Sequence, residues 1–156
     1  MKIKFTKLLA LTISIVLLTC FVACNNGGET KVKLVSSTDT QIVMQVEETD
    51  GNANALNALK SIRNQDLISF DYLDSTYGAY ITSISGKAEQ IIESTLTSSK
   101  GYSWALYTSD IDNAYLEETI TVDGVVCGKA AMGASSLIVK KDALYVWVYE
   151  YYEYSW

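Results

Sequence analysis

The side chains able to do chemistry in this chain are acidic, hydroxylated and aromatic, because its 156 residues include no histidine. Without imidazole, Ser-His and Cys-His nucleophilic sites, histidine-containing zinc sites and an imidazole general base are all excluded. Asp110-Ile111-Asp112-Asn113 starts like a calcium loop, but Ala114 and Tyr115 stand where a third ligand and a glycine are needed. A solvated turn closed by an Asx bond is expected there instead. Glu47-Glu48 and Glu117-Glu118 are adjacent pairs, which on strands point to opposite faces and cannot serve as a facing acid/base couple. Gly133-Ala134-Ser135-Ser136 lacks the last glycine of a nucleophile elbow. The expectation is a protein that is not an enzyme, with no catalytic residues, no metal and no resident cofactor.

The aromatic residues say more. The chain has 11 Tyr and 3 Trp. Tyr145, Trp147, Tyr149 and Tyr151 alternate with Leu144, Val146 and Val148, so a strand here puts the rings on one face and the aliphatic residues on the other. Tyr102, Trp104 and Leu106 likewise share a face opposite Ser103, Ala105 and Tyr107. Large, stiff rings tipped with a hydrogen-bonding group suit a packing layer or a ligand platform equally, and the alternation alone does not choose. Five aromatics within Tyr149 to Trp156 point towards a contact surface.

These strands must be delivered outside the cytoplasm. Lys2, Lys4 and Lys7 precede an apolar run of 16 residues from Leu8 to Ala23, shorter than the ~20 of a spanning helix, which reads as a secretory signal. The run closes on Phe21-Val22-Ala23-Cys24 and turns abruptly polar, which resembles the lipobox of bacterial lipoproteins, where the cysteine carries the lipid. An ordinary cleaved signal or an uncleaved anchor are the alternatives. The expected organisation is a signal over residues 1–23, a tether over 24–31 and a domain over 32–156, lipid-anchored at Cys24 to the outside of the bacterial cell membrane. Loss of the three leader lysines leaves 9 basic against 18 acidic residues, a net charge of −9, which excludes a nucleic-acid partner. Cys20 leaves with the signal and Cys24 is acylated, so Cys127 has no partner and is expected as a small buried hydrophobe.

Within 32–156 one helix is expected from Asn54, as N-cap, to Arg63, with Asn64 as a left-handed stop and Ala55, Leu56, Leu59 and Ile62 on its apolar side. A further helical turn or two is expected over 88–96. Strands are expected around Val32-Leu34 and Ile42-Val46, then over 80–84, 103–107, 118–122, 125–127, 136–139 and 144–152, with Asp123-Gly124 as a hairpin turn. The fold class this implies is α+β, a β-grasp-like domain with one main helix packed on a largely antiparallel sheet.

The run Gly78-Ala79-Tyr80-Ile81-Thr82-Ser83-Ile84-Ser85-Gly86, then Tyr102 to Leu106, then Gly133 to Ser136 followed by Leu144 to Trp147, resembles in order the C-terminal β-domain of the cobalamin carriers transcobalamin and intrinsic factor. The likeness covers roughly residues 40 to 152. It implies a small-ligand-binding module, with cobalamin or a related corrinoid as the ligand. Its motif positions are Tyr80, Thr82, Trp104, Tyr107, Gly133, Ser135 and Ser136. The carriers' helical barrel has no counterpart here. The alternative is a cell-surface module that binds a protein or glycan through the ladder Tyr145, Trp147, Tyr149 and Tyr151.

Overall fold

The computed structural model describes residues 28–76 and 78–156. Cys24, the expected lipid-attachment residue, and the expected signal lie outside the described residues.

Ten strands, one helix and one 3-10 turn follow in the order β1 Thr30–Ser37, β2 Gln41–Thr49, α1 Ala55–Arg63, β3 Phe70–Ser75, β4 Gly78–Ile84, β5 Lys87–Ala88, β6 Gln90–Ser94, β7 Ser98–Thr108, β8 Ala114–Val122, β9 Val125–Ala130 and β10 Leu144–Ser155, with the 3-10 turn at Ile111–Asn113 before β8. Seven strands form one sheet, ordered β1-β2-β10-β7-β9-β8 with β6 added to β7; β3, β4 and β5 form a second. Every pairing is antiparallel.

The α+β, β-grasp-like expectation is overturned. Of the described residues 60% are strand and 9% helix, the sheets are not closed, and the fold is largely β. Two segments account for the difference. Phe70–Ser75 carried no strand assignment from sequence, yet it pairs along β4. Residues 88–96, expected to be helical, form the end of β5 and all of β6. Adjacent β-branched Ile91 and Ile92 favour the pleat over a helix, and β7 supplies the ladder. Residues 136–139 are a loop with a single bridge from Ile138 to Asn54 rather than a strand. β1 begins at Thr30, two residues inside the segment expected as a tether.

Alternation along β10 sorts the core into two layers. Tyr145 and Trp147 lie on one face with Ile42, Met44, Val46, Trp104 and Leu106, covered by Leu56, Leu59 and Ile62 of α1 and by Phe70, Ile81 and Ile84 of the small sheet. Val146 lies on the other face with Val43, Tyr107, Val122 and Cys127, beneath the β8–β9 hairpin. Cys127 is buried, and burial raises its thiol pKa. Asp123 and Gly124 form that hairpin's turn with φ of 48° and 82°, the left-handed pair such a two-residue turn requires.

The helix is held by its first turn. Asn54 Oδ1 accepts from Asn57 N–H at 2.9 Å and Asn57 Oδ1 accepts from Asn54 N–H at 3.0 Å, a reciprocal cap. Ala55 and Leu56 N–H donate to the carbonyls of Leu137 and Ala134, both at 2.9 Å. The expected left-handed stop at Asn64 is absent, as its φ is −67°; the chain reverses at Asp66, where φ is 58°. Replacing Asn54 by Ala removes the cap and its bond to Ser135 carbonyl. A loss of about 1–2 kcal/mol is expected, read from the urea unfolding midpoint.

Candidate functional site

The loop Gly133 to Ser136 is built into the scaffold. Ser135 Oγ accepts from Ala79 N–H at 2.9 Å, and Ser135 carbonyl accepts from Asn54 Nδ2 at 2.9 Å. Gly133 carbonyl accepts from Ser136 and Leu137 N–H, both at 3.0 Å. Gly78 sits at φ +100°, and a Cβ there would collide with Ser135 Oγ. This loop closes the helix N-terminus and seats the start of β4.

The other motif positions are divided between two faces of the large sheet. Trp104 is buried on the helix side, where its Nε1 donates to Lys87 carbonyl at 2.8 Å. Tyr107 is buried on the opposite side, its hydroxyl donating to Glu150 Oε2 at 2.7 Å. Burial, with Glu150 adding to it, pushes the Tyr107 hydroxyl up to about 12. Lys129 completes this group, bonded to Glu118 at 2.8 Å and Glu150 at 3.0 Å. Tyr80 is partly exposed on β4 and donates to Glu89 Oε1 at 2.6 Å; partial burial of its hydroxyl first, and Glu89 second, hold that hydroxyl above the ordinary phenol value. Thr82 contributes its carbonyl to Glu89 N–H at 2.8 Å. The seven positions therefore do not converge on one pocket.

The ladder expected as an alternative contact face is likewise divided. Tyr145 is fully buried and accepts from Lys140 N–H at 2.9 Å, while Trp147 is 3% exposed with an indole N–H that has no partner. Neither can meet a ligand. Tyr149 is half-buried and Tyr151 exposed, and these two belong to a different grouping.

That grouping is an aromatic ledge where the cover of the helix-side face runs out. Register places Tyr149 opposite Trp104 and Tyr151 opposite Tyr102. Tyr102 stacks on Tyr149 at 5.7 Å and 14°, and meets Tyr151 edge-on at 5.6 Å. Trp104 lies behind, 5.4 Å from Tyr149. Tyr149 hydroxyl donates to Ala88 carbonyl at 2.9 Å, and Lys87 Nζ sits 4.8 Å over the Tyr149 ring. Tyr102 was placed on this face by the β7 alternation but not recognised as a site residue. The signal that could have found it was its two-residue spacing from Trp104.

The hollows lie elsewhere. One of about 960 Å³ separates β1 from the C-terminal half of α1, and its cations are engaged: Lys31 with Glu47 and Glu48, Lys60 over Tyr72, Arg63 over Phe70. Another of about 330 Å³ adjoins Ile84 and Lys87. No group of three or more potential metal ligands occurs among the described residues. In the Asp110 turn a lysine stands where a metal would: Lys140 Nζ reaches Asp110 at 2.8 Å and Asp112 at 2.9 Å. Burial pushes the Asp110 carboxyl up, but the Lys140 and Asn113 hydrogen bonds outweigh it and hold it below the usual range.

No family model, curated protein or solved structure matches this chain. No helix among the described residues is long and apolar enough to cross a membrane.

Two outcomes are expected from this geometry. Trp147→Ser unfolds the domain in circular dichroism melts, whereas Trp147→Phe, which removes the unpartnered N–H, costs far less and Tyr149→Ser leaves the fold intact. Because the folded Asp110 pKa is depressed, its stabilising contribution is complete above the unfolded carboxylate value and lost as pH falls through the folded one. Urea midpoints measured from about pH 5 down to about pH 2 should therefore fall, and fall less in Lys140→Met.

Proposed function

We propose that this protein is an extracytoplasmic binding module without catalytic activity, held to the bacterial cell membrane by acylated Cys24. Its ligand surface is the ledge of Tyr102, Tyr149 and Tyr151 in front of Trp104. A planar small molecule is its ligand, and a corrinoid is the class to test first. The observation that carries this reading is a set of three tyrosine rings, with Tyr102 in contact with both Tyr149 and Tyr151, backed by a buried indole and open to solvent at Tyr102 and Tyr151. Such rings offer wide apolar faces at low conformational cost. Lys87, over the Tyr149 ring, and Glu89, close enough to raise the Tyr149 hydroxyl, supply a charged rim.

The likeness to the carriers' C-terminal β-domain supports the ligand class. The segments that carry it are in contact here: Ala79 bonds Ser135, Trp104 faces Tyr149, and Trp147 pairs with Leu106 in the same sheet. A ledge covers only one face of a corrinoid, so the affinity is weaker than that of a two-sided site. A second reading has its own support. The ledge is part of neither hollow, and an open platform of stacked rings also suits a sugar ring or a partner's surface.

Equilibrium dialysis of the full chain in detergent micelles against cobalamin and cobinamide tests the first reading. Retention is expected at about 10–50 µM ligand, reduced several-fold by Tyr149→Ala and unchanged by Tyr107→Phe on the opposite face. Folded protein that retains neither corrinoid eliminates that ligand class. Capture on a glycan array that is lost in Tyr149→Ala would then favour the second reading.

A further inference from the structure

Beyond the ledge, β6, β7 and β10 continue as a three-stranded ribbon whose two faces differ in chemistry. On the ledge side, the next row outward is Glu93, Lys100 and Glu153, with Lys100 and Glu93 ion-paired. The opposite side carries no charge over its last rows: Ile91, Gly101 and Tyr152 stand in one, Ser94, Ser99 and Tyr154 in the next. Tyr152 and Tyr154 stack at 5.4 Å.

The tip is built to hold apolar groups outward. Thr95 Oγ1 accepts from Thr97 and Ser98 N–H, fixing the turn so that Leu96 is 96% exposed. Trp156 is pinned beside it, its Nε1 donating to Leu96 carbonyl and its backbone N–H to Thr97 carbonyl, both at 2.9 Å, while its ring remains 70% exposed. Ile91 and Tyr154 are also well exposed.

We propose that this tip enters the headgroup–acyl boundary of a zwitterionic lipid bilayer. Leu at the apex, flanked by Tyr and by a Trp whose indole N–H is already satisfied by the Leu96 carbonyl, is the chemistry of that boundary. On the face of Tyr152 and Tyr154 the uncharged stretch from the Gly101–Tyr152 row to the turn runs about 10 Å along the strands, and the charged row of Glu93, Lys100 and Glu153 lies on the other face. The net charge of −9 over residues 24–156 disfavours an anionic surface, which selects neutral lipid. Proximity of a bilayer rests on the anchor reading above.

Register then fixes the posture. Leu144 lies opposite Gln45, and Thr30 pairs with Thr49 four residues further on, so the tether joins at the end of the sheet remote from the tip. Ser155 and Leu144 are about 36 Å apart along β10. Contact at both ends lays the sheet along the membrane, and the ledge, on the face opposite Tyr152 and Tyr154, looks away from the lipid.

The test floats the full chain with phosphatidylcholine vesicles whose acyl chains are brominated or not, and reads tryptophan emission. Trp104 and Trp147 are buried in the core, so quenching by brominated lipid is expected to come from Trp156 and to vanish in Trp156→Phe. Leu96→Asp, at a site with nothing to unfold, should keep flotation and lose the quenching. Flotation with acylated Cys24 shown by mass spectrometry but no quenching overturns the tip contact alone. Failure to float overturns both it and the anchor reading. A blue shift of Trp156 emission that grows with protein concentration in the absence of lipid would assign the tip to a second copy and overturn the proposal.

Discussion

The first turn of α1 is the constraint on which the rest of this fold depends. A helix of nine residues leaves several backbone N–H groups without intrahelical partners, and no acidic residue in its first turn offsets their partial positive charge. Asn54 satisfies one reciprocally with Asn57, and the carbonyls of Ala134 and Leu137 take two more from about 80 positions along the chain. The same loop receives Ala79 N–H from β4. One short segment therefore positions the helix, the small sheet and the entry into β10. A loop of small residues that reads as ligand-binding in sequence is in this structure engaged by backbone donors.

The ledge follows from a mismatch of lengths. Nine helical residues span about 14 Å, while the twelve of β10 span about 40 Å. The helix covers Tyr145 and Trp147 with help from the small sheet, whose last contribution is β5, where Lys87 and Ala88 carbonyls meet Trp104 and Tyr149. Past that point β7 and β10 continue with the same alternation and nothing above them. Identical residue types on one strand face thus pass from core to surface, Tyr145 fully buried and Tyr151 exposed.

This explains what was legible in the sequence and what was not. Alternation in β10 and β7, the Asn54 cap and the Asp123-Gly124 turn are local patterns, and each is present in the structure. β6 was not legible, since Ile91-Ile92 fits either period and only the pairing with β7 decides, helped by Gly101, where a side chain would strike Gln90 carbonyl. The division of Trp104 from Tyr107 follows from their odd spacing and was visible. Which of the four rings in β10 would be covered was not, because it depends on where elements far away in the chain stop.

The tyrosine hydroxyls narrow how any ligand can be recognised. Tyr80 donates to Glu89, Tyr107 to Glu150, Tyr149 to Ala88 carbonyl and Tyr151 to Glu153. Burial raises the Tyr149 hydroxyl and its Glu153 hydrogen bond raises that of Tyr151, so both rings stay neutral through the physiological range. With their hydroxyls committed inside the protein, Tyr149 and Tyr151 offer ring faces rather than hydrogen bonds. Recognition by such a surface depends on area and shape, which favours flat ligands and leaves discrimination among them to the charged rim of Lys87 and Glu89.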